Sequence, residues 1–141
     1  MRRVLPILLV AVLATLLFAT LVGAAAASGA SSVKAGKSLD AISWYQAKKH
    51  VGERMKVRGP VAATILEKRL ASEPTFLNIG RNYPSKARFT VVIQKKYLKA
   101  FPYRPDRMYR GKTLLVTGTI RWYQGCANMF VRSPAAIRII Q

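Results

Sequence analysis

Residues 55–65 read MKVRGPVAATI and residues 113–123 read TLLVTGTIRWY, and in both segments apolar residues recur at every second position. Because successive side chains of a β-strand point to opposite faces, this period predicts two long strands, each with one buried face. Each segment has a glycine in its middle, Gly59 in the first and Gly118 in the second. Mid-strand glycine is tolerated where a strand coils sharply or lets another backbone approach. The two segments therefore predict long strands that bend, as they would in a small closed sheet.

Shorter β-type runs and helical stretches complete the predicted order of elements. The shorter runs lie at residues 75–79, 89–93, 128–132 and 137–140. Residues 94–100 predict a short helix before two prolines, and residues 38–50 begin with a capping serine and predict an N-terminal helix. Five main strands with a helix between the third and fourth predict a mainly β, five-stranded Greek-key barrel, the OB-fold. A β-sandwich is the alternative.

The N-terminal segment has the pattern of an export signal. Two arginines follow the first methionine, an apolar run covers residues 4–22, and small residues suited to cleavage come next. We therefore expect a signal peptide at 1–27, a flexible linker at 28–37 and the OB-fold domain at 38–141, located in the periplasm, in the cell envelope or outside the cell. The apolar run is also long enough to cross a bilayer, so an uncleaved membrane anchor is the alternative.

Charge is the first indication of function. The 141 residues contain 24 Lys and Arg but only 5 Asp and Glu, for a formal net charge of +19. Subtracting the two arginines of the signal segment leaves +17, so the basic character belongs to the predicted domain. Such an excess destabilises a compact domain through self-repulsion unless an anionic partner neutralises it. A basic surface tuned for solubility is the alternative, although both signs of charge are then usually interspersed.

The residues needed for catalysis or for a metal site are sparse. The acids are scattered over different predicted elements, and the only histidine and cysteine are His50 and Cys126. A nuclease on such a barrel would need grouped carboxylates to hold a hard cation, and a single thiol can form neither an internal disulfide nor a cysteine-rich zinc site. The sequence therefore predicts a protein that is not an enzyme and has no metal and no cofactor.

Basic residues alternate with aromatic residues in the loops of the predicted domain. Cations can follow phosphates while rings provide stacking platforms for bases, and the second and third strands of an OB-fold, with the adjoining loops, form its usual binding face. The residues expected to contact nucleic acid are Lys68, Arg69, Arg81, Tyr83, Lys86, Arg88, Arg121 and Tyr123. Four other aromatic residues, Phe76, Phe89, Tyr109 and Trp122, are expected to pack in the core.

A set of short motifs carries a family resemblance. They are FLNIG at 76–80, YP at 83–84, FTVVI at 89–93, YRGK at 109–112, VTGTI at 116–120, YQG at 123–125 and PAAI at 134–137. Over residues 41–140 the chain resembles the exported bacterial OB-fold domains that accompany secreted nucleases and DNA-uptake proteins. The resemblance implies nucleic-acid binding without a defined sequence specificity, and association with an exported nuclease or DNA-uptake machinery. The chain departs from the pattern at 126–129, CANM, where such domains often have a Pro-Glu-Ile type segment.

Two functions from different classes are compatible with this sequence. The first is sequence-tolerant binding of single-stranded DNA or RNA outside the cytoplasmic membrane. The second is a structural or adhesive module that holds anionic envelope polymers, lipid head groups or an acidic protein, because net charge alone would suit it equally well. Dependence of the affinity on the presence of bases distinguishes the two functions.

Overall fold

The computed structural model describes residues 39–140. The signal peptide or anchor predicted at 1–27 and the linker predicted at 28–37 lie outside the described residues, as do residues 38 and 141 of the predicted domain. Within the described part of the chain, no helix has both the length and the apolar composition that a bilayer crossing requires.

The described residues form seven strands and four short helices, joined by turns and loops. The strands are β1 (Ala41–Ser43), β2 (Arg54–Leu66), β3 (Thr75–Ile79), β4 (Phe89–Ile93), β5 (Thr113–Tyr123), β6 (Cys126–Phe130) and β7 (Ile137–Ile139). The helices are α1 (Pro105–Met108) and three 3-10 helices, Trp44–Lys49, Lys95–Ala100 and Pro134–Ala136. The protein is therefore mainly β, and the helix predicted between the third and fourth main strands is confirmed at Lys95–Ala100.

Five of the strands form a closed ring of pairings. β2 pairs with β3, β3 with β4, β6 with β5, and β5 with β2, all antiparallel, whereas β4 and β6 are parallel. The two shortest strands extend the sheet, β1 parallel to β2 and β7 antiparallel to β5. Ring closure is possible because the 13 residues of β2 contact β5 through Arg54–Pro60 and β3 through Val61–Leu66.

Side chains fill the space that the two mid-strand glycines leave. A Cβ atom at Gly59 would lie 2.6 Å from Cδ1 of Trp44, and a Cβ atom at Gly118 would lie 2.8 Å from Sδ of Met129. The neighbours that approach most closely are thus side chains rather than backbone. The expected bend is present as well, since the β2–β3 register shifts between Val61 and Ala63.

The alternation of apolar residues in β5 correctly predicts which side chains are buried as long as the strand pairs with β2. Leu114, Val116 and Ile120 are buried as predicted. The prediction for Trp122 is wrong, because 56% of this residue is exposed. The β5–β2 register ends at Thr119, and the Ile120 backbone still bonds to Gly52 and Glu53, but beyond it the described residues of β5 pair with β6 alone. Phe89 and Tyr109, in contrast, are buried as expected.

The predicted N-terminal helix at 38–50 is wrong in its first half. Residues Ala41–Ser43 form β1 instead, because their backbone pairs with the edge of β2. The helical part is the 3-10 helix Trp44–Lys49, which begins after a capping box in which the Ser43 N–H donates to Oε1 of Gln46 at 3.0 Å. Tertiary pairing therefore overrides the helical spacing of the first residues.

The fifth main strand, predicted at 128–132, begins two residues earlier than expected. β6 covers Cys126–Phe130, directly after the predicted turn at Gln124 and Gly125. Both turn residues have positive φ, 49° and 78°. A two-residue turn of this kind reverses the chain at once, so pairing with β5 resumes immediately after it.

Gly59→Ala is expected to lower the free energy of unfolding by about 1–3 kcal/mol, because the added methyl group overlaps Trp44 and Ile79. Urea unfolding of the variant measures the loss. Combining it with Trp44→Leu should cost less than the sum of the two single losses, since the smaller side chain frees part of the space. If the loss in the double variant equalled the sum of the two single losses, the added methyl group would not be in contact with Trp44.

Candidate nucleic-acid interface

A row of polar side chains crosses the face of the sheet opposite the apolar core. Asn78 on β3 pairs in register with Thr90 on β4, and Thr90 pairs with Asn128 on β6. Asn128 in turn pairs with Arg121 on β5. Cross-strand partners point to the same side of a sheet, so these four residues share one face. Asn78, Thr90 and Asn128 are 2–3% exposed, which makes them a buried polar floor.

A groove of about 440 Å³ lies above this floor. Its lining includes Arg69, Phe76, Tyr83, Arg88, Tyr123 and the polar floor residues Asn78, Thr90 and Asn128, and we refer to it as the Arg88 groove. β3, β4 and β6 provide the floor, while the loop between β3 and β4 and the end of β5 provide the aromatic walls. The groove thus combines polar atoms at its base with rings at its rim.

A directed series of hydrogen bonds joins the floor to the Tyr83 loop. The Arg88 Nε–H donates to Oγ1 of Thr90 at 3.2 Å, and the Thr90 hydroxyl donates to Oδ1 of Asn78 at 3.1 Å. The Asn78 amide then donates to Oδ1 of Asn82, which also accepts the Tyr83 backbone N–H at 2.7 Å. Because guanidinium can only donate, the direction of every later bond follows from Arg88. The series therefore fixes the orientation of the loop that carries Tyr83.

Arg88 is a buried cation whose hydrogen-bond and ring partners are neutral. Only 8% of it is exposed, its Nη1 donates to the Ser85 carbonyl at 2.7 Å, and its Cζ lies 5.4 Å from the centre of the Tyr83 ring. None of the ion pairs within residues 39–140 includes Arg88. A buried charge is costly without a partner of opposite sign. The site is therefore suited to receive an anionic group.

Two tyrosines present ring surface at the rim. Tyr83 is 67% exposed although Arg88 contacts its ring, and Tyr123 is 49% exposed. The Tyr123 ring meets Phe130 edge-on, with centroids 6.3 Å apart and planes at 71°. Exposed, laterally supported rings of this kind are stacking platforms for planar ligands.

The floor also offers polar atoms that are not used inside the protein. The Asn128 amide nitrogen donates to the carbonyls of Tyr123 and Cys126 at 3.0 and 2.8 Å, which orients its Oδ1 away from them. Neither this Oδ1 nor Nη2 of Arg88 has a hydrogen-bond partner among the described residues. The Arg88 groove thus contains one acceptor and one donor for the edge of a ligand.

The structure brings together four of the eight residues expected to bind nucleic acid, Arg69, Tyr83, Arg88 and Tyr123. Lys86 lies beside them, where its Nζ donates to the Gln124 carbonyl at 2.9 Å and links the β3–β4 loop to the β5–β6 turn. Lys68 and Arg81 are exposed but do not line this groove, and Arg121 lines a neighbouring one. The predicted contacts of all eight residues stay predictions.

Arg69 enters the groove as half of an ion pair. Its Nε and Nη2 donate to the two carboxylate oxygens of Glu67 at 3.2 and 3.4 Å, and its backbone N–H donates at 3.0 Å. These bonds, the backbone one first, lower the pKa of Glu67, so its carboxylate is ionised at neutral pH. Glu67 therefore competes with any phosphate for Arg69.

Sequence reasoning missed the polar floor. Asn78, Thr90 and Asn128 each lie among apolar residues in a short strand, which is the only local signal for them. Their alignment depends on the register of three strands that are distant in sequence. Phe76, expected in the core, is half-buried and lines the groove instead.

The described residues contain no cluster of three or more His, Cys, Asp or Glu side chains that could hold a metal ion. His50 shares a hydrogen bond with Glu53 at 3.1 Å, and the Cys126 thiol is buried. The absence of an enzymatic activity and of a cofactor stays a prediction.

No family model and no curated protein matches the chain. Among solved structures, a protein assigned as an aspartyl-tRNA synthetase from Leishmania major Friedlin matches with a TM-score of 0.46 and 12% identity, over 74% of this chain and 21% of that one. An asparaginyl-tRNA synthetase from Pyrococcus horikoshii, solved with asparaginyl-adenylate, matches with a TM-score of 0.42 and 17% identity, over 66% and 20%. This chain spans about a fifth of the length of either synthetase. Structural similarity at this level does not assign a function.

Thr90→Val is expected to lower the free energy of unfolding by about 1–3 kcal/mol, because it leaves the Arg88 Nε–H and Asn78 Oδ1 without partners. Urea unfolding measures the effect. Thr75→Val is the matched control: Thr75 is also fully buried, but its Oγ1 has no hydrogen-bond partner among the described residues, so its loss should be neutral or stabilising. Equal losses in the two variants would contradict the hydrogen-bond series.

Proposed function

We propose that this chain is an exported OB-fold domain that binds single-stranded nucleic acid with little sequence preference and catalyses no reaction. The order of ring pairings, β2–β3–β4–β6–β5 and back to β2, with helices between β4 and β5, supports the OB-fold assignment. In that assignment β3 and β4 are the second and third strands of the fold. They carry the Arg88 groove, which coincides with the usual binding face of OB-folds.

The observation that carries the proposal is the buried, unneutralised guanidinium of Arg88 beneath an exposed aromatic ring. A phosphate in the groove would supply the missing negative charge, and Arg recognises phosphate through several parallel donors. The same ligand must have a planar part to use the Tyr83 and Tyr123 rings. A nucleotide unit combines both features, whereas a polyphosphate or a carboxylated polymer provides only the charge.

Sequence tolerance follows from the kind of contacts available. Every base has a π-face, so stacking on Tyr83 or Tyr123 does not select a base. The free donor of Arg88 and the free acceptor of Asn128 can bind a base edge, but all four bases have both donors and acceptors on their Watson–Crick edges. The Arg88 groove therefore accommodates different bases with similar affinity.

The carboxylates of the described residues support a role in binding rather than in catalysis. Four of them are paired in separate parts of the fold: Glu53 with His50, Glu67 with Arg69, Glu73 with Lys95 and Asp106 with Arg104. Metal-assisted hydrolysis of a phosphodiester requires convergent carboxylates or another set of metal ligands. Export through the N-terminal segment, and association with an exported nuclease or DNA-uptake machinery, complete the proposal.

Tyr83→Ala is expected to weaken binding of a labelled oligothymidine of about ten nucleotides by about 1–3 kcal/mol, with little change in the salt slope, because a stacking ring is lost and no cation. Binding of a base-free polyphosphate of similar charge should not change. Fluorescence anisotropy across salt concentrations measures both affinities. Tyr45→Ala is the control, since Tyr45 is 59% exposed but lines none of the grooves described above.

Equal wild-type affinity for the oligonucleotide and the polyphosphate would favour the alternative function, a module that holds anionic polymers. An unchanged oligonucleotide affinity in Tyr83→Ala, with native stability, would refute stacking in this groove.

Glu67→Gln is expected to tighten oligonucleotide binding about two- to fivefold, because it frees Arg69 from a weak surface ion pair. The salt slope should steepen by about 0.7 if Arg69 then contacts a phosphate. Glu73→Gln is the matched control, because it removes the same charge by breaking the pair with Lys95 outside the groove. An equal gain in both variants would mean that only the net charge matters.

A further inference from the structure

A second groove, of about 570 Å³, lies on the same face of the sheet as the Arg88 groove. Four cations line it, Arg54, Lys96, Arg121 and Arg132, together with the rings of Tyr97 and Phe130, and no acidic residue does. We refer to these six residues as the basic groove. Of these cations, only Arg121 is among the eight residues predicted to contact nucleic acid.

The four cations come from four separate elements. Arg54 begins β2, Arg121 lies in β5, Lys96 lies in the 3-10 helix after β4, and Arg132 follows β6. None takes part in an ion pair within residues 39–140. Like charges that converge from independent elements repel one another unless an anion lies between them. Their convergence therefore indicates a site for a ligand with several negative charges.

Contacts with one ring hold two of these cations in place. Nζ of Lys96 lies 5.0 Å from the centre of the Tyr97 ring, and Cζ of Arg132 lies 5.6 Å from it. Cations at these distances are attracted by the ring face. Tyr97 thus positions two positive charges at the groove.

The two grooves adjoin along the strands that form their floors. On β4, Thr90 lies in the Arg88 groove and Val92 in the basic groove, and on β6 the same holds for Asn128 and Phe130. Residues two apart share a face and lie about 7 Å from each other along a strand. A flexible polymer can therefore pass from one groove into the other without leaving the sheet face.

We propose that the basic groove binds the phosphodiester backbone of the strand whose base stacks in the Arg88 groove, as a separate phosphate-binding site. This inference rests on the proposed function for the identity of the polymer. The Arg88 groove then holds a nucleotide through its ring and one phosphate, and the basic groove holds the phosphates that follow. The ligand must therefore be several nucleotides long to engage both sites.

The test compares two double variants that remove the same charge. Arg54→Gln/Arg132→Gln changes the basic groove, while Arg58→Gln/Arg138→Gln changes exposed residues outside both grooves. Binding of each variant is measured across salt concentrations with a labelled oligothymidine of about ten nucleotides and with a labelled thymidine dinucleotide, whose single phosphate the Arg88 groove can hold. Thermal unfolding monitored by circular dichroism checks that both are folded.

For the longer oligonucleotide, the basic-groove variant is expected to lose on the order of tenfold in affinity, and its salt slope should fall by about 1.4, from two lost phosphate contacts. The control variant should lose much less. The shorter oligonucleotide, held by the Arg88 groove alone, should bind both variants equally. Equal losses in the two variants, or equal losses for the two lengths in the basic-groove variant, would overturn the inference.

Binding of polyphosphate to the wild-type protein and to both double variants distinguishes failure of this inference from failure of the proposed function. If the wild-type protein binds polyphosphate as tightly as the longer oligonucleotide, the proposed base-dependent function fails. The phosphate site still stands in that case if polyphosphate binds the basic-groove variant about tenfold more weakly than it binds the control. It is overturned if the two variants bind polyphosphate equally.

Discussion

The structure depends on a change of partner within one strand, β2. Its first half pairs with β5 and its second half with β3, so the ring closes only if the strand bends between them. Trp44 fills the space beside Gly59 at the bend, and the Gly80 N–H donates to the Pro60 carbonyl at 2.8 Å, which ties the end of β3 to the same point. A side chain at Gly80 would overlap the Trp44 ring, so this contact also requires glycine.

Ring closure determines where the functional side chains lie. It places β6 parallel to β4, and this pairing aligns Asn128 with Thr90 and so completes the polar floor. Arg88, the residue before β4, then donates into that floor while it contacts Tyr83 in the same loop. The buried cation is held by Thr90 and Ser85, which accept from two of its five N–H groups, and by the Tyr83 ring, while its Nη2 is available to a ligand.

In the proposed function, the two grooves contribute differently to the binding of a charged, base-bearing polymer. The Arg88 groove has few charges, but its guanidinium is buried, so one ionic contact there is strong and barely screened by salt. The basic groove has more cations in a more open setting, where each contact is weaker and depends more on salt. A net charge of +19 is easier to understand when cations that receive no internal partner converge on a site for phosphates.

Local sequence patterns were enough to predict the long strands at 55–65 and 113–123, most of their buried faces, and the basic and aromatic character of the loop around Tyr83. These features are local, because alternation and turn composition act over a few residues. The exposure of Trp122, the common floor of Asn78, Thr90 and Asn128, and the place of Arg121 in the basic groove depend instead on how distant strands pair. The alternation of apolar and polar residues predicts which side of a strand a side chain occupies, but ring closure and register decide which neighbours it contacts there.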